Sequence, residues 1–145
     1  LANLAARQQI LAAMQGPAGQ QPKANSVFTV RFDFGSTRVV IPTDVATTLV
    51  EDAKASPLVM LRGRTDGTSD APAESRIARD RAAAVRDYLV AAGVDPARIR
   101  ATYQPAGDHV ADNASAGGRN LNRRVEIELY RALPVALTTT AIAQP

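Results

Sequence analysis

The sequence predicts an α+β fold: a βαβαβ unit closed by a further strand, with two main helices packed on one face of a small mixed four-stranded sheet. Three observations predict it. Residues 26–34 and 124–129 alternate apolar with polar at a period of two, as half-buried strands do. LVMLRG at 58–63 is a short, almost unbroken apolar run, the pattern of an interior strand. Residues 73–92 carry Ile77, Ala84, Val85, Tyr88 and Leu89 at helical spacing, and Gly93 follows as a stop. Elements in this order pack as helices on a sheet with right-handed crossovers.

Taken along the chain, residues 1–25 read as a short helix, with Leu4, Ile10, Leu11 and Met14 on one side, followed by a linker, GPAGQQPKANS. The domain spans 26–130. Its first strand, SVFTVRFDFG, sets Phe28, Val30, Phe32 and Phe34 against Val27, Thr29, Arg31 and Asp33. Thr43 is the expected N-cap of a helix running to about Ala55, with Val45, Leu49 and Val50 on its apolar side, and Ser56-Pro57 ends it. The second strand stops near Arg64 and leads into TDG, then into the 73–92 helix. ARIRATY is the third strand, a long polar loop follows, and RRVEIELY is the last, strictly alternating strand. Residues 131–145, rich in Pro, Thr and Ala, form a tail that only packing on something else would order.

Composition excludes more than it assigns. With 145 residues the chain can bury a core without staples, and with no cysteine it can form neither a disulfide nor a thiolate metal site. The net charge of +3 comes from 17 basic and 14 acidic residues, and aromatics are 4%, so the interleaved basic and aromatic surface that nucleic acid requires is missing. No apolar run reaches the roughly 18 residues that cross a bilayer. The opening LANLAARQQILAAMQG does not read as a signal peptide, so attachment to a membrane would come from a segment outside this chain. No nucleophile–base pair stands out and no cofactor or metal is implied. Asp66, Asp70 and Glu74 read as charge at a helix N-terminus rather than as a hydrolytic carboxylate pair.

Two stretches do not look like solubilising charge. In GRTDGTSDAPAESRIARDRA, at 63–82, Asp66 closes an apolar run, whereas Arg81 stands four residues after Ile77 and four before Val85, on the border of the apolar stripe. An arginine there can lay its stem along the core and bring its guanidinium out near the TDG loop, beside Asp66. An acid and a guanidinium held apart in one crevice suit a zwitterion, the carboxylate taking an ammonium and the guanidinium fork a carboxylate. The alternative is that the two simply pair with each other. In GGRNLNRRVEI, at 117–127, Gly117-Gly118 suggest a tight turn and Arg119, Arg123 and Arg124 cluster before the last strand. Such a cluster either holds an anion or clamps loop carbonyls and the carboxylates of Asp108 and Asp112.

Together TDG, the interval of 15 from Asp66 to Arg81, RAAAVRDYLVAAGVDPARI and VADNASAGGRNLNRRVEI resemble, in order and spacing, the OmpA-like peptidoglycan-binding domain family over about 26–130. The resemblance implies the fold already read, no enzymatic activity, a periplasmic, envelope-associated setting and peptidoglycan as partner, through the meso-diaminopimelate of its stem peptide. It also implies roles. Asp66 takes the ammonium, Arg81 the carboxylate, Arg123 supports the ligand or the Asp66 loop, and Thr65, Gly67 and residues from Asp33 to Ser36 line the rest. Other envelope proteins would meet the N-terminal segment and the tail. This chain departs from the family's N-x-x-L-S-x-x-R-A with Glu74, Ile77 and Ala78, and an ionised Glu74 adds to an ammonium site while repelling a carboxylate. TYQPAGDH also departs from the family pattern, with His109 an exposed loop histidine. The second reading is an OmpA-like scaffold that has given up the wall for protein contacts in an envelope complex.

Overall fold

The computed structural model describes residues 25–133. The expected helix at 1–15, most of the linker and the tail from 134 lie outside the described residues. Within them the order is β1 (Ser26–Arg31), α1 (Thr43–Ala55), β2 (Leu58–Gly63), α2 (Pro72–Ala91), a 3-10 turn (Pro96–Arg98), β3 (Ile99–Tyr103), α3 (Ala116–Asn122) and β4 (Arg124–Tyr130).

The sheet runs β1-β4-β2-β3. β4 is antiparallel to both its neighbours and β2 is parallel to β3. Register puts Phe28, Ile127, Leu61 and Ala101 in one row across the sheet, and Val30, Val125, Gly63 and Tyr103 in the next of the same face. The buried members of those rows on β1, β2 and β4, with Leu129, Val59 and Ile99 of the adjoining row, meet Leu49 and Ala53 of α1 and Val85 and Leu89 of α2, and this is the core, whereas Ala101 and Tyr103 at the β3 edge are exposed. Each fully buried Leu, Ile or Val stabilises the fold by roughly 1.5–3 kcal/mol through removal of apolar surface from water. The opposite face is polar, with Arg62 paired to Glu128 at 2.8 Å and Arg124 to Glu126 at 2.7 Å. Alternation along β4 is therefore a division between a helix-covered and an open face.

Why α2 lies where it does is decided at Gly63. A Cβ there would collide with the carbonyl oxygen of Ala78 and come 3.1 Å from the Cβ of Ala82. Small residues on both sides let the helix backbone approach the end of β2, and that approach sets how deep Arg81, one turn beyond Ala78, sits in the molecule.

Four expectations need correction. β1 ends at Arg31, and although Phe32 remains in the core, Phe34 is 84% exposed because the chain leaves the sheet and turns at Gly35, φ 69°. Thr43 is not the N-cap of α1; Pro42 holds that position in an extended conformation with no side-chain cap, and Thr43 opens the helix, its carbonyl accepting from Thr47 Oγ1 at 3.0 Å. Gly117-Gly118 do not make a tight turn but lie in α3, capped by Ser115, whose Oγ accepts from Gly118 N at 2.9 Å. The helix tolerates Gly118 because α3 presses on the Asp112 carbonyl there, leaving no room for a Cβ. His109 is half-buried rather than exposed, for a reason that belongs to the site.

Candidate functional site

The loop after β2 is shaped by hydroxyl and amide bonds before any charge acts. Thr65 is buried, its Oγ donating to Pro105 O at 2.8 Å and accepting from Gly67 N at 2.8 Å, which turns the chain back on itself. His109 Nε2 donates to Gly67 O at 3.1 Å, and Asn113 Nδ2 donates to Asp66 O at 2.8 Å. The TDG carbonyls are thus held from the 104–115 segment. A Cβ on Gly67 would meet Glu74 Oε2 at 2.6 Å and Pro105 O at 2.8 Å, so only glycine lets the loop pass between them.

Asp66 lies at the end of this loop with one carboxylate oxygen committed. Arg123 Nη1 donates to Asp66 Oδ2 at 2.9 Å, Arg123 Nε to the Phe32 carbonyl at 3.0 Å and Arg123 Nη2 to Asn120 Oδ1 at 3.2 Å. Of the two uses expected for Arg123, supporting the Asp66 loop is the one these bonds make. Asp66 Oδ1 has no hydrogen-bond partner among the described residues.

Arg81 is deeper than expected. At 1% exposure it does not bring its guanidinium out at the loop, because the approach of α2 at Gly63 carries it inward, over the Phe32 ring at 5.3 Å. Its Nε donates to Ser36 O at 2.9 Å, Nη2 to Asp33 O at 3.3 Å and Nη1 to Arg64 O at 3.4 Å. No carboxylate forms an ion pair with it among the described residues. Three of five N–H groups are engaged, leaving one on each terminal nitrogen. Burial pushes the guanidinium down to about 10, the Asp66 and Glu74 charges oppose that and Arg123 adds to it, so the group stays cationic at neutral pH.

The sequence-predicted residues therefore fall into three groups. Asp66, Arg81 and Arg123 converge beside Phe32, and Asp66 and Arg81 are not bridged to each other. Asp33 contributes its carbonyl to Arg81, its side chain being exposed. Thr65 and Gly67 build the loop, and Glu74 lies against it.

Two residues that hold the site, Asn122 and Arg64, were not among those expected to. Asn122, fully buried, accepts from Val110 N at 2.8 Å and Ala111 N at 3.1 Å and donates to Ala111 O and Asn113 Oδ1, each at 3.1 Å. Arg64 Nε donates to Asp108 Oδ2 at 2.6 Å, and Arg124 Nη2 to Asp108 O at 2.9 Å. Arg119 donates to the carbonyls of Asn113 and Ala114. The arginine cluster thus clamps loop carbonyls and Asp108, one of its two expected uses. Its signal was a run of Arg and Asn beside a polar loop, legible as a cluster but not as a set of partners.

The arrangement is one that can bind: a fixed cation with two spare donors near a carboxylate with a spare acceptor. Among the described residues no group of three His, Cys, Asp or Glu could hold a metal ion.

Comparison with known proteins agrees with this frame. The OmpA family profile matches residues 31–123. A Brucella melitensis chain described as a type IV secretion system outer membrane lipoprotein is 38% identical over 73 residues, 50% of this chain and 42% of its own length. The chain thus spans less than half of that relative. The solved peptidoglycan-associated lipoprotein of Burkholderia pseudomallei superposes with a TM-score of 0.62 at 25% identity, covering 68% of this chain and 86% of that one. The cell wall anchor of the type VI secretion system of Pseudomonas aeruginosa does so with 0.58 at 32% identity, covering 73% and 81%.

Proposed function

The chain belongs to the OmpA family, its profile taking in the first strand's end, both long helices and the whole candidate site, and on that premise we propose that it is a non-catalytic module anchoring a periplasmic envelope protein or secretion assembly to peptidoglycan. The ligand is the diaminopimelate of the stem peptide, whose side chain ends in an ammonium and a carboxylate. Asp66 Oδ1 accepts from the ammonium, and the two unspent N–H groups of Arg81 take the carboxylate. One observation carries this reading: the two groups are fixed separately, Asp66 by Arg123 and Arg81 by three carbonyls, with opposite charges near each other and bonding capacity left on both. A buried cation without a carboxylate partner gains most from an anionic guest. The solved relatives named as a peptidoglycan-associated lipoprotein and a cell wall anchor support it.

A second reading is favoured by the depth of Arg81: a guanidinium 1% exposed and bonded to three loop carbonyls can serve as a structural pin alone, in an OmpA-like scaffold that contacts envelope proteins. Sedimentation with purified peptidoglycan separates the two. The wall reading expects retention of the wild-type chain and its loss in Asp66→Asn and Arg81→Lys variants that keep a cooperative unfolding transition. Absence of wild-type retention leaves the scaffold.

A further inference from the structure

β1 is the strand at one edge of the sheet, with β4 on its inner side. Phe32 N donates to Arg123 O at 2.9 Å, which sets the phase of the ladder: residues 26, 28, 30 and 32 bond to β4, and the N–H and C=O groups of Val27, Thr29 and Arg31 point outward. Among the described residues none of those three amides donates to a carbonyl elsewhere. On the helix side of this edge runs a groove of roughly 330 Å³, lined chiefly by Phe28, Val30, Val40, Ile41, Val45 and Leu49. Val27, Val40 and Val45 are exposed. The other edge of the sheet is finished differently, because the Arg100 guanidinium at β3 lies on the carbonyls of Ala97 and Ile99, at 2.9 and 3.2 Å, and blunts that edge against pairing. β1, SVFTVR, has neither proline nor glycine and carries its one charge, Arg31, at its far end.

The pattern of this edge matches itself. Laid antiparallel beside a second β1 with the twofold axis at Thr29, Thr29 meets the partner's Thr29 and Val27 meets the partner's Arg31. Every outward N–H and C=O of the three residues is then paired, as in an ordinary antiparallel ladder. Any other register leaves some of them open, and one centred on Arg31 sets like charges face to face. On the helix side Phe28 comes beside the partner's Val30, so the apolar row continues across the axis.

Charge favours the same register. Arg31 lies directly across the ladder from Arg124, a like charge already engaged by Glu126 and Asp108, and the Arg31 guanidinium has no partner among the described residues. Val27 is the ladder neighbour of Glu128. In the paired arrangement Arg31 therefore reaches over the partner's Val27 toward the partner's Glu128, across two strand spacings or roughly 10 Å, a span that an arginine and a glutamate close together.

We propose that the β1 edge is a homodimer interface, at which two copies of the chain pair β1 against β1 about Thr29 into one continuous sheet. Such pairing is independent of what the Asp66 and Arg81 site binds, and on the wall reading a dimer gains avidity from carrying two of those sites.

The test is sedimentation equilibrium of the full chain, with crosslinking to read the register. The wild type is expected to show a concentration-dependent dimer. Thr29→Pro removes an N–H that β4 does not use, and Arg31→Glu sets a like charge toward the partner's Glu128. Each is expected to weaken the dimer roughly tenfold or more while unfolding stays cooperative. The chain has no cysteine, so single-cysteine variants report which residues meet. On mild oxidation Thr29→Cys is expected to form a disulfide-linked dimer, because facing residues of a bonded pair have Cα atoms about 5.5 Å apart, and Val27→Cys, which meets the partner's Arg31 instead, is not. A monomer at all concentrations up to about 1 mM, a dimer that both Thr29→Pro and Arg31→Glu leave unchanged, or crosslinking of Val27→Cys in preference to Thr29→Cys overturns the proposal. Amide protection at Val27, Thr29 and Arg31 that does not vary with concentration overturns it too, since another segment of the same chain would then hold the edge.

Discussion

Replacing Arg123 with Leu should loosen the Asp66 loop and destabilise the whole domain, by an amount its contacts set. Three bonds go. The Phe32 carbonyl, buried and bonded to Arg123 Nε at 3.0 Å, loses that donor, at about 1–3 kcal/mol for a buried acceptor left unsatisfied. Asp66 loses its ion pair at 2.9 Å. Breaking a fully buried pair costs about 3–5 kcal/mol, but these side chains are 11% and 17% exposed and water can reach the orphaned carboxylate, so about 1–2 kcal/mol is the better figure. The bond to Asn120, at 3.2 Å and with an exposed partner, adds little. Leu recovers part of the stem's packing, which leaves a net loss of about 2–4 kcal/mol. For a domain of this size that lowers Tm by roughly 10–20 °C. The assay is thermal unfolding of wild type, Arg123→Leu, Asp66→Asn and the double variant, with the cycle giving the pair term directly. A fall of less than about 3 °C in Arg123→Leu, or a coupling near zero, would refute the claim that this arginine holds the acid in place.

Asp108 and Asn122 give two further tests. The hydrogen bond from Arg64, then the charges of Arg64, Arg124 and Arg62, hold the Asp108 carboxyl below its ordinary value against the opposing effect of burial. A depressed acid contributes stability that is present above its unfolded value, about 3.9, and is lost as pH falls through the folded one. Its side chain is 49% exposed, so screening limits the term to about 0.5–1 kcal/mol. Asp108→Asn, which tolerates the φ of 51° equally well, should fall short of wild type by that amount at pH 7 in urea unfolding and draw level with it as pH falls through the folded value. A gap that persists at acid pH removes the charge from the explanation. Asn122→Ala strips partners from two part-buried amides and a part-buried carbonyl of the 110–111 segment, at about 1–3 kcal/mol in all, and should raise amide exchange across 105–115 before any effect in the sheet. Uniform loss of protection would show that Asn122 acts on the core instead.

How much of this was legible in the sequence follows from the range over which each signal acts. β2, β4 and α2 were readable because their evidence is local periodicity: Val125, Ile127 and Leu129 alternate because one face meets the helices, and Leu89 and Val85 recur because α2 has one dry side. The failures at Phe34, Thr43 and Gly117 come from signals that were equally local but outvoted. Alternation at Phe34 continued past the point where pairing stopped, Pro42 supplied the extended conformation that precedes a helix, and Ser115 capped a helix through two glycines.

For the site the limit was of another kind. Asp66 and Arg81 could be selected because each violates the pattern around it, an acid closing a strand and a base in an apolar stripe. Their partners could not. Arg81 is held by the carbonyls of Asp33, Ser36 and Arg64, and Asp66 by a side chain 57 residues away. Every residue has a carbonyl, so nothing in the composition of 33–36 announces that those oxygens will meet a guanidinium. That the contact exists at all depends on Gly63, Ala78 and Ala82 being small enough to draw the helix down onto the sheet. Depth, and with it the lack of an ion pair at Arg81 among the described residues, is thus a property of packing between elements. The same packing that hides the arginine from water is what would make an anion bound there hold firmly, because a charge already desolvated by the fold asks no further dehydration of itself when its guest arrives.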